Sequence, residues 1–306
     1  MNLIEQAARR LEELRRSGVE APTTIQLRPE AGTVARGGRP DRGRSPRISD
    51  RLSGPDRPET AAKLVEIDLQ RLGAMGYLTP AGPRTQIENE FRVIKRPLLR
   101  NVFDRADAPV ERANLIMVTS SLPGEGKTFV AINLAISMAM ELDTTVLLVD
   151  ADVSRPSVLQ RLGVEPSPGL LDLLSDTSRG LSDVLLRTNI QHLSILPAGT
   201  PDARATEMLA SVQMTRLLDD VSSRYSDRII VFDAPPLLPS PESRVLASHM
   251  GQIVVLVEAE STSYQTVAAT MATLEGCPVV LPLLNKTNRT QVGTYYGYYA
   301  AEEKPT

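Results

Sequence analysis

The sequence has no tryptophan, a single cysteine and no long uninterrupted apolar run. The lone Cys277 excludes an internal disulfide and a metal cluster held by several cysteines. No stretch reaches the roughly 18 apolar residues that a membrane-spanning helix needs, and the charged N-terminus, residues 1–16, does not read as a secretory signal. These absences predict a cytoplasmic protein. A net charge of −3 argues against general nucleic-acid binding, so no nucleic-acid partner is expected.

The length of 306 residues and a hydrophobic content of 42% favour one large α/β domain with appended segments. An amphipathic pattern over residues 1–16 is followed by a stretch rich in Pro, Gly, Arg and Ser up to residue 58, and residues 59–77 return to a helical pattern. We therefore predict three regions: N-terminal helices with a disordered linker over residues 1–85, a folded domain over residues 86–290, and a flexible tail over residues 291–306.

Six apolar runs alternate with helical patterns, and a helix from Ile87 to Leu99, expected to halt at Pro97, precedes them. Unbroken apolar strands that alternate with helices predict a mostly parallel sheet with helices on both faces. Ligands of such sheets bind at the carboxyl ends of the strands. The predicted strands are Leu115–Val118, Val146–Val149, Leu193–Leu196, Ile229–Phe232, Ile253–Val257 and Val279–Leu284.

The first of these strands leads into a phosphate-binding loop of the P-loop type, and a helical pattern follows it directly. Its glycines let the backbone approach an anion, the helix start adds a positive dipole end, and the lysine adds a full charge. The first glycine of the G-x-x-x-x-G-K-[ST] pattern is replaced by Ser121. The expected nucleotide-binding residues are Pro123, Gly124, Glu125, Gly126, Lys127 and Thr128, of which Thr128 also offers a hydroxyl to Mg²⁺.

Acidic residues follow two further predicted strands, where a P-loop protein needs its metal ligands. Asp150 and Asp152 come after the second strand, and Asp233 comes after the fourth. Carboxylates at these edges can hold Mg²⁺ on nucleotide phosphates, and one of them can accept a proton from an attacking hydroxyl. A single acid after a strand is often only a helix cap. Three such acids following one P-loop indicate a catalytic site.

Together, residues 120–128 (SSLPGEGKT), 149–157 (VDADVSRPS) and 232–238 (FDAPPLL) resemble the Walker A, A′ and B motifs of bacterial tyrosine kinases. Members of this family are cytoplasmic P-loop proteins that phosphorylate a cluster of tyrosines at their own C-terminus and work with polysaccharide export machinery. Four of the seven tyrosines of this chain fall in such a cluster, at Tyr295, Tyr296, Tyr298 and Tyr299. The resemblance implies that they are phosphoacceptors, although aromatic packing of the tail would be an alternative.

The resemblance also implies ATP and Mg²⁺ as cofactors and a role for each matching residue. Lys127 would bind and activate the γ-phosphate, and Asp150 would assist deprotonation of the incoming tyrosine. The implied metal ligands are Thr128, Asp152 and Asp233, the last through water. Asn285, after the last strand, resembles a base-contacting position of the wider ATPase superfamily, but a polar residue there is also typical of a turn.

The segment Arg92 to Leu99 resembles the exosortase-associated subgroup of these kinases. Its helix corresponds to the family's Glu-x-x-Arg-x-x-Arg oligomerisation element, with Asn89, Arg92 and Lys95 at the three positions; a surface helix with i,i+4 charge pairs is the alternative. This implies a homo-oligomer, of which a ring is one arrangement. It also implies a separate transmembrane polysaccharide chain-length regulator as activator, recruitment by this partner to the inner face of the plasma membrane, and a cognate tyrosine phosphatase.

Two other functions fit part of the pattern. Partition or division-site ATPases of the ParA/MinD kind share the P-loop sheet, but they carry a lysine where this chain has Leu122, and they lack a tyrosine tail. A non-catalytic, nucleotide-switched adaptor of the polysaccharide machinery would have no need to keep Lys127 and the three acids. The sequence therefore favours a tyrosine autokinase that acts in trans and regulates exopolysaccharide polymerisation or export.

Overall fold

A computed structural model describes residues 63–80, 82, 85–103, 110–224 and 228–287. The predicted N-terminal amphipathic helix, the arginine-rich linker and the four clustered tail tyrosines lie outside these residues.

Within the described residues, eight strands form one sheet in the order β1-β4-β5-β3-β6-β2-β7-β8. All neighbours are parallel except β4 and β5, which are antiparallel. The six strands predicted from apolar runs are all present, so the mostly parallel sheet is confirmed. The strands are β1 (Lys63–Val65), β2 (Leu115–Ser120), β3 (Thr145–Asp150), β4 (Leu186–Thr188), β5 (Leu193–Leu196), β6 (Arg228–Asp233), β7 (Gln252–Glu258) and β8 (Val279–Asn285).

Ten helices lie in the described residues and connect or flank these strands. They are α1 (Leu69–Ala74), α2 (Gln86–Phe103), α3 (Lys127–Ala139), α4 (Val158–Leu162), α5 (Leu170–Ser175), α6 (Leu181–Val184), α7 (Ala205–Leu209), α8 (Val212–Arg224), α9 (Pro241–Ala247) and α10 (Tyr264–Ala272). None of them combines the length and apolar composition that crossing a bilayer requires.

The strands divide the apolar core into two layers, because successive side chains point to opposite faces. On β2, Ile116 and Val118 join a cluster that includes α2 and α3, whereas Leu115 and Met117 join a cluster that includes the helices from α5 to α9. Helices therefore cover both faces, as predicted. Because the central strands are buried on both faces of the sheet, their sequences are continuous apolar runs.

The helical pattern predicted over residues 59–77 is wrong at residues 63–65. Lys63–Val65 is a strand that pairs in parallel with β4, and the helix begins only at Leu69, where the Asp68 carboxylate caps two backbone N–H groups. The strand is only three residues long. The alternation of apolar and polar residues that is typical of a strand therefore cannot be recognised next to the helical pattern that follows. Residues Val65 to Leu78 supply side chains to the core of the sheet, on the N-terminal side of the predicted boundary at residue 86.

Helix α2 does not halt at Pro97 but runs through it to Phe103. A proline inside a helix removes the hydrogen bond to the carbonyl four residues earlier, here that of Val93. Val93 and Pro97 both lie on the exposed side of α2, where water can satisfy that carbonyl. The opposite side is anchored in the core by Phe91 and Leu98, which explains why the helix persists.

Candidate functional site

The carboxyl ends of β2, β3 and β6 are neighbours in the sheet and define the candidate site. After β2, the loop of residues 121–126 leads into α3 at Lys127. Gly124 and Gly126 adopt positive φ angles of 91° and 102°, which L-residues rarely adopt. Gly126 precedes α3 without a side-chain cap, which leaves the first N–H groups of α3 for another acceptor. Such an arrangement is suited to an anion.

Ser121, which stands where the P-loop pattern has a glycine, is fully buried. Its hydroxyl accepts a hydrogen bond of 2.8 Å from the Thr270 hydroxyl on α10. Beside it, the Ser120 hydroxyl donates to the Leu122 carbonyl at 2.7 Å, and the Thr119 hydroxyl donates to the Pro235 carbonyl at 2.7 Å. The substituted serine is therefore accommodated as a packed and hydrogen-bonded part of the loop's base.

Asn285, at the end of β8, lies against the same loop. Its amide donates to the Glu125 carbonyl oxygen at 2.7 Å. A Cβ atom on Gly126 would lie 2.4 Å from the Asn285 amide nitrogen. The structure thus brings Asn285 to the phosphate-binding loop, while its contact with a base stays a prediction.

Asp150 is buried, and only one of its two carboxylate oxygens has a hydrogen-bond partner among the described residues. Oδ2 accepts the N–H groups of Ser157 at 3.1 Å and Val158 at 3.0 Å, at the start of α4. Oδ1 has no hydrogen-bond partner among the described residues. Burial is the main cause that raises the pKa of Asp150 to about 7, and the Asp152 carboxylate adds to it. A free carboxylate oxygen with a pKa near neutrality is suited to accepting a proton.

Asp233 is fully buried, and neither carboxylate oxygen has a hydrogen-bond partner in the described structure. Burial, followed by the Asp150 carboxylate, raises its pKa to about 8. Orphaned buried carboxylates of this kind call for a cation. The described residues contain no group of three or more His, Cys, Asp or Glu side chains that would hold a metal by themselves. Mg²⁺ binds in proteins through one or two carboxylates together with waters and substrate phosphates, so the carboxylates of Asp233 and Asp152 fit this ion.

Lys127 and Asp152 are the other two predicted residues that meet here. The Lys127 Nζ lies 4.0 Å from Asp152 Oδ2, and both side chains are largely buried. Burial is the main cause that raises the pKa of Asp152, and Lys127 opposes the rise. The Thr128 hydroxyl lies 3.0 Å from that of Ser157. The P-loop cation, the P-loop hydroxyl and the three acids are thus gathered at one edge of the sheet.

Ser157 and Glu242 also belong to this edge, although sequence reasoning did not single them out. Ser157 contacts Thr128 through its hydroxyl and Asp150 through its N–H group. Glu242, in the first turn of α9, is buried, and its carboxylate raises the pKa of Asp152. Ser157 closes the VDADVSRPS motif, so that motif carried a signal for it. No sequence motif pointed to Glu242, because only the folded chain brings α9 close to the end of β3.

A cavity of about 400 Å³ opens beside Asp150. Its volume falls within the ordinary range of ligand pockets, about 300 to 1,000 Å³. Apolar, polar and acidic residues line it, from the end of β3 and the loop after it, from α4 and the loop after it, and from the loop after β5. They include Asp150, Ser157, Leu159, Val164, Ser167 and Ala198. The candidate proton acceptor thus lies in the wall of a space that a second substrate can enter.

The predicted oligomerisation element is only partly available for a subunit contact. The Lys95 ammonium is buried within its own chain, where it donates to the Ser137 carbonyl at 2.5 Å and pairs with Glu141 at 2.6 Å. Arg92 pairs with Glu88 at 2.6 Å on the same helix. Placing Lys95 in a subunit contact is therefore wrong, because that side chain satisfies the last turn of α3 instead. The exposed Asn89 stays available.

A family model described as an AAA domain matches residues 113–278, more than half of the chain. The chain belongs to the AAA domain family. The match begins just before β2 and includes the phosphate-binding loop, the three acids and the strands that carry them. An α/β fold of the P-loop NTPase kind is confirmed.

Among the relatives of this AAA-domain chain are bacterial tyrosine-protein kinases, which confirms the predicted resemblance. The tyrosine-protein kinase YwqD of Bacillus subtilis is 26% identical over 222 residues, which cover 72% of this chain and 90% of YwqD. The putative tyrosine-protein kinase EpsB of Ralstonia nicotianae is 31% identical over 192 residues, 61% of this chain but only 25% of EpsB. The chain therefore spans most of the first relative and about a quarter of the second.

A crystal structure of the VpsO kinase domain is similar to this chain, with a TM-score of 0.56 and 30% sequence identity. The similarity covers 66% of this chain and 96% of that domain.

Proposed function

We propose that the protein is an ATP- and Mg²⁺-dependent protein-tyrosine kinase that phosphorylates its own C-terminal tyrosine cluster. The observation that carries the proposal is the pair of buried acids, Asp150 and Asp233, at paired positions on β3 and β6 next to a phosphate-binding loop. Three of their four oxygens lack a hydrogen-bond partner among the described residues. One acid borders a cavity suited to a second substrate. An ATPase that transfers phosphate only to water has no need of such a cavity.

In the proposed mechanism, the N–H groups of the loop and the Lys127 ammonium hold the β- and γ-phosphates of ATP. Thr128, Asp152 and Asp233 would hold Mg²⁺, the last through water. When bound, Mg²⁺ neutralises charge on the phosphates and polarises the γ-phosphoryl group. The residues of the chain thereby orient the γ-phosphorus for in-line attack.

The acceptor is a tyrosine phenol whose hydroxyl lies at the Asp150 end of the cavity. Asp150 Oδ1 accepts the phenol proton while the phenol oxygen forms a bond to the γ-phosphorus. The bond between that phosphorus and the bridging oxygen breaks, and ADP leaves. The Ser157 and Val158 N–H groups occupy Oδ2 and leave Oδ1 as the oxygen without a partner among the described residues.

We propose that transfer occurs in trans, from the site of one subunit to the tail of its neighbour in a homo-oligomer. The acceptors are Tyr295, Tyr296, Tyr298 and Tyr299. Each phosphate brings a charge of about −1.5 to −2, so several on one tail repel one another and loosen the assembly. Light scattering of phosphorylated and dephosphorylated protein tests this step, and an unchanged particle mass would contradict it.

From the resemblance to the exosortase-associated subgroup we further propose a role in exopolysaccharide polymerisation or export. The proposed partners are a transmembrane chain-length regulator that activates the kinase at the membrane and a cognate tyrosine phosphatase. Adding the cytoplasmic segment of such a regulator to the purified chain should raise the rate of tail phosphorylation. An unchanged rate would contradict this partner.

The decisive experiment is intact-mass and phosphopeptide mass spectrometry of dephosphorylated protein after incubation with Mg²⁺-ATP, comparing wild type with Lys127→Met. We expect phosphate on the tail tyrosines of the wild type alone. Mixing Lys127→Met with an active variant whose four tail tyrosines are phenylalanine tests transfer in trans, which predicts phosphate on the Lys127→Met chain. Nucleotide binding without phosphate on any tyrosine, even with the regulator segment present, would instead support a nucleotide-switched adaptor.

A further inference from the structure

We infer that Thr262, on the loop that follows β7, is a positioning residue for the phosphate-binding loop and acts through the carboxylate of Glu125. The inference rests on the proposed nucleotide-dependent function and extends it to a residue outside the P-loop motif.

Glu125 is an acid inside a loop that is expected to bind an anion, and only 2% of it is exposed. Its two oxygens have different partners. Oε2 accepts the Leu122 N–H at 2.9 Å, within the loop, and Oε1 accepts the Thr262 hydroxyl, from outside it. The carboxylate therefore connects the phosphate-binding loop to the loop after β7.

The Thr262 hydroxyl is oriented by its own neighbours. Its oxygen accepts the Glu258 N–H at 3.1 Å, and the Thr262 N–H donates to the Glu258 carbonyl at 3.0 Å. A hydroxyl has one proton to donate, and an ionised carboxylate can only accept. The Thr262 proton is therefore directed to Glu125, and the backbone of Glu258 fixes the position from which it is donated.

A third segment closes the arrangement, at the end of β8. The Asn285 side-chain amide donates to the Glu125 backbone carbonyl at 2.7 Å, and the Asn285 backbone carbonyl accepts the Ala259 N–H at 2.9 Å. The adjacent Lys286 pairs with Glu258 at 3.0 Å. The phosphate-binding loop, the loop after β7 and the end of β8 thus form one closed set of hydrogen bonds with Glu125 at its centre.

This arrangement keeps the Glu125 carboxylate from competing with phosphate. Without the Thr262 hydroxyl, a buried carboxylate oxygen would lack a donor and would have to find another. Oε2 already takes the Leu122 N–H, and the remaining N–H groups of the same loop, which would otherwise bind the phosphates, are the donors nearest in the chain to the released oxygen. A carboxylate on those groups excludes a phosphate by occupancy and by like charge. Thr262 therefore preserves nucleotide affinity without touching the nucleotide.

The test uses the full chain and measures ADP and ATP binding with Mg²⁺ by titration calorimetry. Thr262→Val, which has nearly the same shape but no hydroxyl, should weaken binding by about tenfold or more. Thr262→Ser, which restores the donor, should bind within about threefold of wild type. Thr273→Val is the matched control, because that hydroxyl donates to the Thr270 carbonyl at the far end of α10. In kinase assays, Thr262→Val should raise KM for ATP with a much smaller change in kcat.

A double-mutant cycle separates positioning through Glu125 from a general structural role. In a Glu125→Ala background there is no carboxylate to hold, so Thr262→Val should cause no further loss of affinity. The double variant also tests the inference if Thr262→Val alone folds poorly. Glu125→Ala removes the carboxylate that Thr262→Val would leave without a donor, so the double variant should fold better than Thr262→Val. Additive losses in the cycle, or a Thr262→Val variant that binds like wild type, would overturn the inference. A wild-type protein that binds no nucleotide would instead overturn the proposed function.

Discussion

Asp150 and Asp233 are register partners at the carboxyl ends of the neighbouring parallel strands β3 and β6. Both are buried, and burial is the main cause that raises the pKa of Asp150 to about 7 and that of Asp233 to about 8; the Asp150 carboxylate adds to the rise at Asp233. At neutral pH without a cation, the pair therefore retains protons that an unfolded chain would have lost. A divalent cation would displace those protons, which couples nucleotide-metal binding to the charge of the site.

The first prediction concerns stability against pH in the presence of EDTA. Unfolded aspartates release their protons near pH 4, whereas folded Asp150 and Asp233 keep theirs to about pH 7 and 8. Between these values the folded state binds more protons, so the free energy of unfolding falls as pH rises. We expect a fall of about 4 kcal/mol between pH 6 and 8.5, of which Asp233 contributes the larger part, measured by urea denaturation.

Asp233→Asn should flatten this dependence and make the protein more stable than wild type at pH 8.5, because it removes a buried carboxylate that must ionise there. The control is Asp176→Asn. Asp176 is exposed, and hydrogen bonds from Ser178 lower its pKa, so it titrates below this range. Parallel curves for wild type and Asp233→Asn would show that Asp233 does not carry the pH dependence.

The second prediction distinguishes the two glycines of the phosphate-binding loop. Gly124 and Gly126 have similar positive φ angles, so alanine is strained by about 1 kcal/mol or more at either position. A Cβ at Gly124 meets nothing within 4 Å, but one at Gly126 lies 2.4 Å from the Asn285 amide nitrogen. Gly126→Ala should therefore lower the urea midpoint further than Gly124→Ala. Adding Asn285→Ala should raise the urea midpoint of Gly126→Ala but not that of Gly124→Ala. A rise in both variants would show that a clash with Asn285 is not the cause.

The sequence predicted the central sheet well because its strands are buried on both faces. On β2, β3 and β6 this burial produces unbroken apolar runs, each ending in the polar residues of the site. The rule that ligands bind at the carboxyl ends of parallel strands then brings the phosphate-binding loop and the acids together. Local pattern and topology were therefore sufficient to predict the site residues that lie at the ends of these strands.

Sequence reasoning failed where a contact between distant segments decides the outcome. Lys95 was placed in a subunit contact, but it is buried against the end of α3, 42 residues away. Thr262 lies 137 residues from Glu125 in the chain, and no sequence motif connects the two residues. Pro97 was expected to end α2, but the core contacts of Leu98 outweigh the one lost backbone bond. No local periodicity reports such contacts.

The third prediction tests the internal role of Lys95. Lys95→Met keeps the apolar stem but removes the charge-assisted hydrogen bond to the Ser137 carbonyl, so we expect a loss of about 1.5 to 3 kcal/mol in the free energy of unfolding. Glu141→Gln should cost less than about 1 kcal/mol, since the Glu141 side chain is 45% exposed. Arg96→Met, on the exposed face of the same helix, is the control. Urea denaturation measures all three, and equal stability of Lys95→Met and Arg96→Met would contradict the assignment.

The last prediction concerns the cavity beside Asp150. Ser167 lines it and is only half-buried, so Ser167→Trp should fill the space without disturbing the core. The phosphate-binding loop contributes no residue to the lining described for this cavity. If the acceptor tyrosine enters there, this variant should keep the wild-type affinity for Mg²⁺-ADP while the initial rate of tail phosphorylation falls by about tenfold or more. Ser248→Trp, at the exposed end of α9, controls for adding an indole. Calorimetry and phosphopeptide mass spectrometry measure the two effects. An unchanged rate of tail phosphorylation in Ser167→Trp would show that the tyrosine reaches Asp150 by another route.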